Sequence, residues 1–346
     1  MGKRAPAVEA SASWLVSPAH DLAFYSGLSV TGALLVLALG QVFEPSQLFL
    51  WFNLVLTVGH YAPTWMRAFL DKEELRTHQV SILGFPLLFA AVIFVTRGRP
   101  EVLAFIIYFW DRFHAVMQNY GFLRLYDAKA GARSRGYVEL TLLFASAVLV
   151  MSFNMGLLAP MLNVLRTLAV PVPTTVGLVW GLRAVAGTVT LGALALYVRA
   201  QRGFAREGHF SLGKQVFLGA LTGGYLVMNS TTNIFLLSAH EKLYHSVQYV
   251  VLVWHYNRRR VAQAAPADVT APMRFLFRAR GPWLYGLGVA AFVVLVAFLF
   301  QRFGLSTGGA GEGFAFTTVG SGVALTHYYF DSFLWRVRRE QVRVNL

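Results

Sequence analysis

The feature of this chain that most constrains its fold is a series of about ten apolar segments, each near the ~20 residues that a helix needs to cross a membrane. They occupy residues 21–43, 47–66, 79–96, 102–122, 137–158, 175–197, 212–238, 241–256, 283–303 and 314–335. The seventh and eighth are nearly continuous, and the eighth is short. Because a backbone in lipid must satisfy its own hydrogen bonds, the pattern predicts an all-α, polytopic transmembrane helical bundle of about ten helices.

Composition agrees with a membrane protein and excludes other classes. The chain is 56% hydrophobic and only 13% charged, which is too apolar for a soluble domain of 346 residues. The formal net charge of +14 does not indicate a nucleic-acid partner, because the basic residues lie between apolar segments and form no single basic face. The chain has no cysteine, so a metal would be held by nitrogen and oxygen ligands.

The basic residues also predict the orientation of the chain. Most of the 30 Lys and Arg residues lie at the segment ends that share a side with the N-terminus. The opposite side holds only Arg97, Arg99, Arg166, Lys242 and Arg302. The positive-inside rule therefore places both termini in the cytoplasm, and we expect an integral protein of the bacterial inner membrane. This predicts a cytoplasmic N-terminal segment (1–20), one transmembrane domain (21–336) and a basic cytoplasmic tail (337–346).

Histidines fall inside these apolar segments, where ionisable side chains are costly and usually functional. With a rise of 1.5 Å per residue from the cytoplasmic arginines, His255 lies about 5 Å deep, His60 about 10 Å, His327 about 13 Å and His114 about 15 Å. His245 lies higher, at about 20 Å. We predict that these five histidines are metal ligands.

Other polar residues accompany the histidines at helical spacing. The sets are Asp111/His114/Gln118, His60/Thr64/Arg67, His245/Gln248/His255 and His327/Asp331. Each set forms a polar stripe on one face of its helix, and the apolar remainder of the helix predicts that the stripe faces inward. Pro63 also frees the carbonyl of Gly59, which predicts a kink beside His60.

Imidazole and carboxylate together suit a non-haem iron, zinc or copper centre. A ligating histidine usually donates its second N–H to a carboxylate, so Asp111 and Asp331 are expected to be ligands or hydrogen-bond partners of ligands. Gln118 and Gln248 are expected to position groups in the site. We predict mononuclear or dinuclear iron, with another transition metal as the alternative.

The remaining histidines have simpler interpretations. His20 and His78 lie at the cytoplasmic mouths of two predicted helices, His240 lies at the outer rim, and His209 lies in a loop. A membrane histidine often makes only an interhelical hydrogen bond. The sequence leaves open whether His20, His78 and His240 join the site.

Several of these residues form motifs that resemble those of a known group. The motifs are HY at 60, DxxHxxxQ at 111–118, HEKLYH and HSVQYVVLVWH within 240–255, and HYYFD at 327–331. The chain resembles bacterial histidine-rich integral membrane proteins with non-haem iron chemistry, which include lipid desaturases, hydroxylases and Brp/Blh-like carotene oxygenases. The chain lacks the desaturase HxxHH box.

The resemblance and the histidines lead to one functional hypothesis and three alternatives. We expect a metal-dependent oxygenase or oxidase that acts on a membrane lipid or isoprenoid substrate and receives electrons from a donor. One alternative is a proton-coupled transporter with a histidine relay. The others are a haem-binding electron carrier and a cofactor-free transferase with one catalytic histidine.

Overall fold

The computed structural model describes residues 13–96, 100–134, 136–171, 176–265, 267–278, 282–304 and 310–335. All regular structure in these ranges is helical, apart from one isolated antiparallel bridge between Asp71 and Val269. The all-α prediction is confirmed for these residues. The predicted tail at 337–346 and most of the predicted N-terminal segment lie outside them.

The helices are Pro18–Leu39 (α1), Pro45–Phe52 (α2), Val58–Leu70 (α3), Lys72–Thr77 (α4), Gln79–Thr96 (α5), Pro100–Lys129 (α6), Tyr137–Phe153 (α7), Met155–Thr167 (α8), Val176–Glu207 (α9), Leu212–Met228 (α10), Ile234–Gln263 (α11), Ala271–Leu276 (α12), Trp283–Gly304 (α13) and Ala310–Leu334 (α14). Residues Asp21–Ser26 within α1 are π-helical, and so are Asn53–Thr57 between α2 and α3. Single π-helical turns of this kind often occur near functional sites.

Among the residues that the structure describes, two helices are long and apolar enough to cross a membrane, namely α1 and α9. The pair α7 and α8 would provide a third span if it is counted as one, although its two helices meet at 95°. The apolar stretches Gln79–Val92 and Trp283–Leu299 are shorter. Membrane spans are therefore supported at fewer places than the sequence predicts, and the bundle of about ten spans stays a prediction.

Two predicted helix boundaries are wrong, and capping asparagines explain both. The predicted segment 137–158 is interrupted at Asn154, whose side chain accepts a hydrogen bond from Gly156 N at 3.0 Å and so begins α8. The predicted break near residue 240 lies earlier, where the Asn233 side chain accepts from Phe235 N at 3.0 Å. HEKLYH therefore lies inside α11 and not at a junction between two helices.

The chain divides into two compact units, which we describe separately. Unit 1 comprises Met1–Phe49 and Arg112–His245, and unit 2 comprises Leu50–Asp111 and Ser246–Leu346. The single transmembrane domain at 21–336 stays a prediction.

Unit 1 contains a hydrophobic helix pair and a buried ion network. Helices α7 and α9 pack through Leu142, Ala193 and Tyr197. The fully buried Lys214 Nζ donates to Asp127 Oδ1 at 2.6 Å and to Glu139 Oε1 at 2.9 Å. These charges are paired inside the fold, which is the condition under which burial of an ammonium group is tolerated.

Helix α3 is the core helix of unit 2. Val58 packs against Val296 of α13, and Tyr61 packs against Tyr328 of α14. Further along the helix, Ala68 joins a cluster that includes Phe330. This packing fixes α3 against its neighbours, and so fixes the position of its polar stripe.

Candidate functional site

Two imidazoles meet in the core of unit 2. His60 on α3 and His327 on α14 have their Nε2 atoms 2.8 Å apart and their ring centroids 4.4 Å apart. Both residues are buried, with exposed fractions of 2% and 0%. Two ring nitrogens at this distance share either a proton or a cation, because two lone pairs cannot face each other without one.

A hydroxyl group links this pair to a carboxylate. Thr64 lies one turn after His60 on α3, and its Oγ1 is 2.8 Å from His327 Nδ1. The same hydroxyl donates to Asp331 Oδ1 at 2.9 Å. The stripes predicted on α3 and α14 therefore face each other within unit 2.

Tyr249 on α11 completes this hydrogen-bond network. Its hydroxyl donates to Asp331 Oδ1 at 2.7 Å, contacts Thr64 Oγ1, and accepts from Trp335 Nε1 at 2.8 Å. The Tyr249 ring also packs on the His60 ring, with centroids 4.3 Å apart. One carboxylate oxygen of Asp331 is therefore held by two hydroxyl donors.

These donors determine the tautomer of His327. Since Thr64 gives its hydrogen to Asp331, its oxygen can only accept from His327, and His327 Nδ1 must carry the hydrogen. A neutral His327 then has its lone pair on Nε2, which faces His60. The other carboxylate oxygen, Asp331 Oδ2, lies 3.5 Å from this Nε2. His327 Nε2 is thus 2.8 Å from His60 Nε2 and 3.5 Å from Asp331 Oδ2.

Asp111 is held in unit 2 by tyrosines. Tyr328 donates its hydroxyl to Asp111 Oδ1 at 2.8 Å and also hydrogen bonds with Tyr61. The Tyr61 ring packs on His327 with centroids 4.9 Å apart. Asp111 is therefore connected to the site by aromatic residues, and the next residue, Arg112, pairs with Glu241 in unit 1.

The polar stripe of α3 ends at a buried cation. Arg67 Nη2 donates to Glu74 Oε1 at 2.6 Å, and its guanidinium lies between the rings of Tyr256 and Trp335, 4.1 and 4.2 Å from their centroids. Burial by itself lowers the pKa of Arg67, but Tyr256 and Glu74 raise it above its ordinary value. Arg67 thus remains charged and holds Trp335, which in turn donates to Tyr249.

Unit 1 holds a second pair of the predicted ligands. His114 on α6 and His245 on α11 have ring centroids 5.2 Å apart, and each offers a ligand nitrogen within 4.8 Å of the other. Both are buried. Gln118 Nε2 donates to the backbone oxygen of His245 at 2.9 Å, so Gln118 contacts one of the predicted ligand residues.

The last two predicted site residues lie on α11 in unit 2. Gln248 is fully buried, directly before Tyr249. His255 is half-buried, and its ring packs on Trp254 with centroids 4.7 Å apart. The ring contact described for His255 is therefore with its sequence neighbour Trp254.

The other histidines contact local structure. In unit 1, His240 Nε2 lies 2.8 Å from Ser29 O and His209 Nδ1 lies 3.0 Å from Ala130 O, while His20 packs on Phe24. In unit 2, His78 Nε2 lies 3.7 Å from Glu74 Oε2, and its ring packs on Phe333. These contacts agree with structural roles for all four.

Sequence reasoning missed Tyr249 and Trp335. Trp335 follows Asp331 by four residues on α14, and Tyr249 follows His245 by four residues on α11, so both continue a stripe that was identified. Their hydroxyl and indole N–H are the groups that hydrogen bond. That four-residue spacing could have identified both residues as part of the site. Aromatic side chains at such positions usually serve packing, however, so the spacing alone does not distinguish the two roles.

Comparisons of the chain with protein-family models, with curated proteins and with solved structures gave no match. The site itself must therefore carry the functional argument.

Proposed function

We propose that this chain is an integral membrane metalloprotein that oxidises a lipid or isoprenoid substrate, with iron held by His60, His327 and Asp331. The observation that carries the proposal is the 2.8 Å approach of two buried imidazole nitrogens beside a carboxylate. Two histidines and one carboxylate are the donor set typical of non-haem Fe(II) oxygenases. Zinc or copper remains the alternative metal.

The donor geometry fits a metal ion. Two ligands at right angles, each about 2.0–2.1 Å from the ion, are about 2.9 Å apart. The separation of the two Nε2 atoms is 2.8 Å, so both nitrogens can be neighbouring ligands. The lone pair of His327 Nε2 already points into the site because Nδ1 donates to Thr64.

Hydrogen bonds from surrounding residues orient these ligands. Thr64 holds the orientation of the His327 ring, and Tyr249 holds one oxygen of Asp331, which leaves the other oxygen toward His327. Hydrogen bonds of this kind, from residues behind the ligands, orient the ligands and raise their affinity for metal. Tyr249 in turn is held by Trp335.

When bound, iron would supply the redox chemistry with which dioxygen oxidises a C–H or C=C bond. The substrate would be apolar, since the site lies among buried aromatic side chains such as Tyr61, Tyr249 and Tyr328. These rings would keep water from the reacting centre. Turnover would also require an electron donor, which we expect to be a separate protein or a membrane quinol.

His114 and His245 are candidate ligands for a second ion in unit 1. Two buried imidazoles with nitrogens within 4.8 Å can serve one ion, with Gln118 holding the backbone of His245. Asp111, Gln248 and His255 remain candidate site residues, and nothing described for them adds a donor to the set in unit 2.

The decisive experiment is metal analysis of the purified full chain in detergent, with an optical spectrum. We expect bound iron in the wild type and the loss of at least one equivalent in a His60→Ala/His327→Ala double variant. His209→Ala is the matched control, because His209 contacts a backbone oxygen in unit 1 and should leave the metal content unchanged. Full metal content in the double variant, or oxidation by metal-free protein, would contradict the proposal.

A proton relay is the second candidate, and one observation favours it. Hydrogen-bond contacts run without a break from His60 through His327 and Thr64 to Asp331. This function predicts pH-dependent flux in liposomes without bound metal. A haem held by this pair is disfavoured, because axial nitrogens on opposite faces of a haem lie about 4 Å apart at metal–nitrogen distances near 2.0 Å.

A further inference from the structure

Helix α9 has one face that no other part of unit 1 is described as covering. Ala193, Tyr197 and Gln201 are buried, and the first two pack toward α7. The opposite face carries a shallow cavity of about 770 Å³. Leu191 and Leu194 line it with exposed fractions of 69% and 42%. This surface is unrelated to the histidines of the proposed oxidase.

The same cavity is lined by cations at one end. Arg199, Arg202 and Arg206 follow the apolar part of the wall at spacings of three and four residues, which places them on one helix face. Across the part of the chain that the structure describes, no ion pair involves these three arginines. Three guanidinium groups without a described carboxylate partner leave a strong local positive charge.

Gly203 provides space among these arginines. A Cβ atom added at Gly203 would meet nothing within 4 Å, so the position is open. Gly203 lies four residues after Arg199 and three before Arg206, on the same wall of the cavity. Because Gly203 has no side chain, there is open space between Arg199 and Arg206.

The position of this cluster along α9 matches a membrane surface. Residues 176–198 span about 33 Å at 1.5 Å per residue, which is close to the ~30 Å hydrocarbon core. The arginines begin directly after that length, at the end that the positive-inside rule assigns to the cytoplasm. Anionic lipids are concentrated in that leaflet, where each nearby cation strengthens binding.

We propose that this surface binds one anionic phospholipid, whose phosphate lies at Arg199, Arg202 and Arg206 and whose acyl chains lie along Leu191, Leu194 and Val198. A soluble phosphate would use the arginines but not the exposed leucines. The combination of an apolar wall and a cationic end matches a molecule with both parts. The open space at Gly203 accommodates the lipid head group.

The test is native mass spectrometry of the full chain released from micelles that contain phosphatidylglycerol or phosphatidylcholine. We expect retention of one phosphatidylglycerol and no retained phosphatidylcholine. An Arg199→Gln/Arg202→Gln/Arg206→Gln variant should lose affinity by on the order of 100-fold. Gly203→Leu should also lose the lipid, although it keeps every charge and disturbs no described contact.

The matched control is an Arg133→Gln/Arg166→Gln/Arg302→Gln variant, which removes three exposed arginines elsewhere and should retain the lipid. Equal retention by the cluster variant and the wild type would overturn the proposal. So would equal retention of the two lipids, full competition by inorganic phosphate, or a dimer that loses lipid binding because a second copy covers α9.

Discussion

His327 Nδ1 and Thr64 Oγ1 lie 2.8 Å apart, and this contact decides which nitrogen of His327 is available to the rest of the site. Thr64 donates to Asp331, so its oxygen must accept from His327. The consequence is a His327 Nε2 lone pair directed at His60. A threonine on one helix thus fixes the tautomer of a histidine on another, as the proposed metal site requires.

Thr64→Val tests this role, since valine keeps the shape of threonine and removes the hydroxyl. His327 Nδ1 would then be buried without its acceptor, which costs about 1–3 kcal/mol of unfolding free energy. The metal affinity should fall by about 10–100-fold, because an outer partner of a ligand is lost. Equilibrium unfolding in mixed micelles and metal titration measure the two effects.

Thr64→Ser is the control, because serine restores the hydroxyl. It should recover most of the metal affinity. A Thr64→Val variant that binds metal as tightly as the wild type would show that the His327 tautomer is fixed by another group.

Tyr249→Phe separates the role of the tyrosine hydroxyl from packing. The ring contact with His60 remains, but Asp331 loses a donor and Trp335 loses its acceptor. We expect a loss of about 1–2 kcal/mol of stability and a weaker metal site, measured by thermal unfolding and metal titration.

Tyr285→Phe is the matched control for Tyr249→Phe. Tyr285 is a buried tyrosine of the same unit, and its hydroxyl donates to the backbone oxygen of Val250 at 3.1 Å. It should lower stability by a similar amount without changing metal affinity. Equal metal affinities in the two variants would show that the Tyr249 hydroxyl does not contribute to metal binding.

The polar stripes were predictable because helical spacing is a local property. His60 with Thr64, and His327 with Asp331, are one turn apart, and an apolar surrounding sequence requires each set to face the protein interior. In the structure, these two stripes face each other within unit 2. Pairing across more than 260 residues depends on how helices pack, which spacing along one helix does not determine.

The two misplaced helix boundaries and the two missed site residues also depend on specific contacts, which spacing and hydrophobicity along the sequence do not reveal. Asn154 and Asn233 begin helices because their side chains accept hydrogen bonds from backbone N–H groups, which an average over apolar residues does not detect. Tyr249 and Trp335 were missed because an aromatic residue in an apolar run fits packing as well as hydrogen bonding. Only their partners in space distinguish the two roles.

Arg67→Met tests the buried ion pair at the end of the α3 stripe. The change removes the guanidinium that donates to the buried Glu74 carboxylate and that lies between the rings of Tyr256 and Trp335. We expect a loss of about 3–5 kcal/mol of unfolding free energy. Equilibrium unfolding in mixed micelles measures it.

A double variant provides the control for this pair. Arg67→Met/Glu74→Leu removes both charges and should recover much of the lost stability, because apolar replacement of a buried pair is often nearly neutral. If the double variant is as unstable as the sum of the single variants, the two side chains are not coupled.

The depth of the site in the membrane is testable with single cysteines, since the chain has none of its own. Ala271 precedes α13 and Gln301 lies near its end, and both are exposed. If α13 crosses the membrane with the predicted orientation, Gln301→Cys should react with an impermeant maleimide added to intact cells. Ala271→Cys should react only after permeabilisation, and the cysteine-free wild type gives the background.

The result bears directly on the histidines because α13 packs against α3. A Cβ atom at Gly59 would lie 3.6 Å from Val293 Cγ2, and Val293 lies near the middle of Trp283–Gly304. A crossing by α13 therefore puts the neighbouring His60 well inside the hydrocarbon, where an apolar substrate can reach it from the bilayer. Reaction of both cysteines from one side would instead place α13, and His60 with it, outside the hydrocarbon.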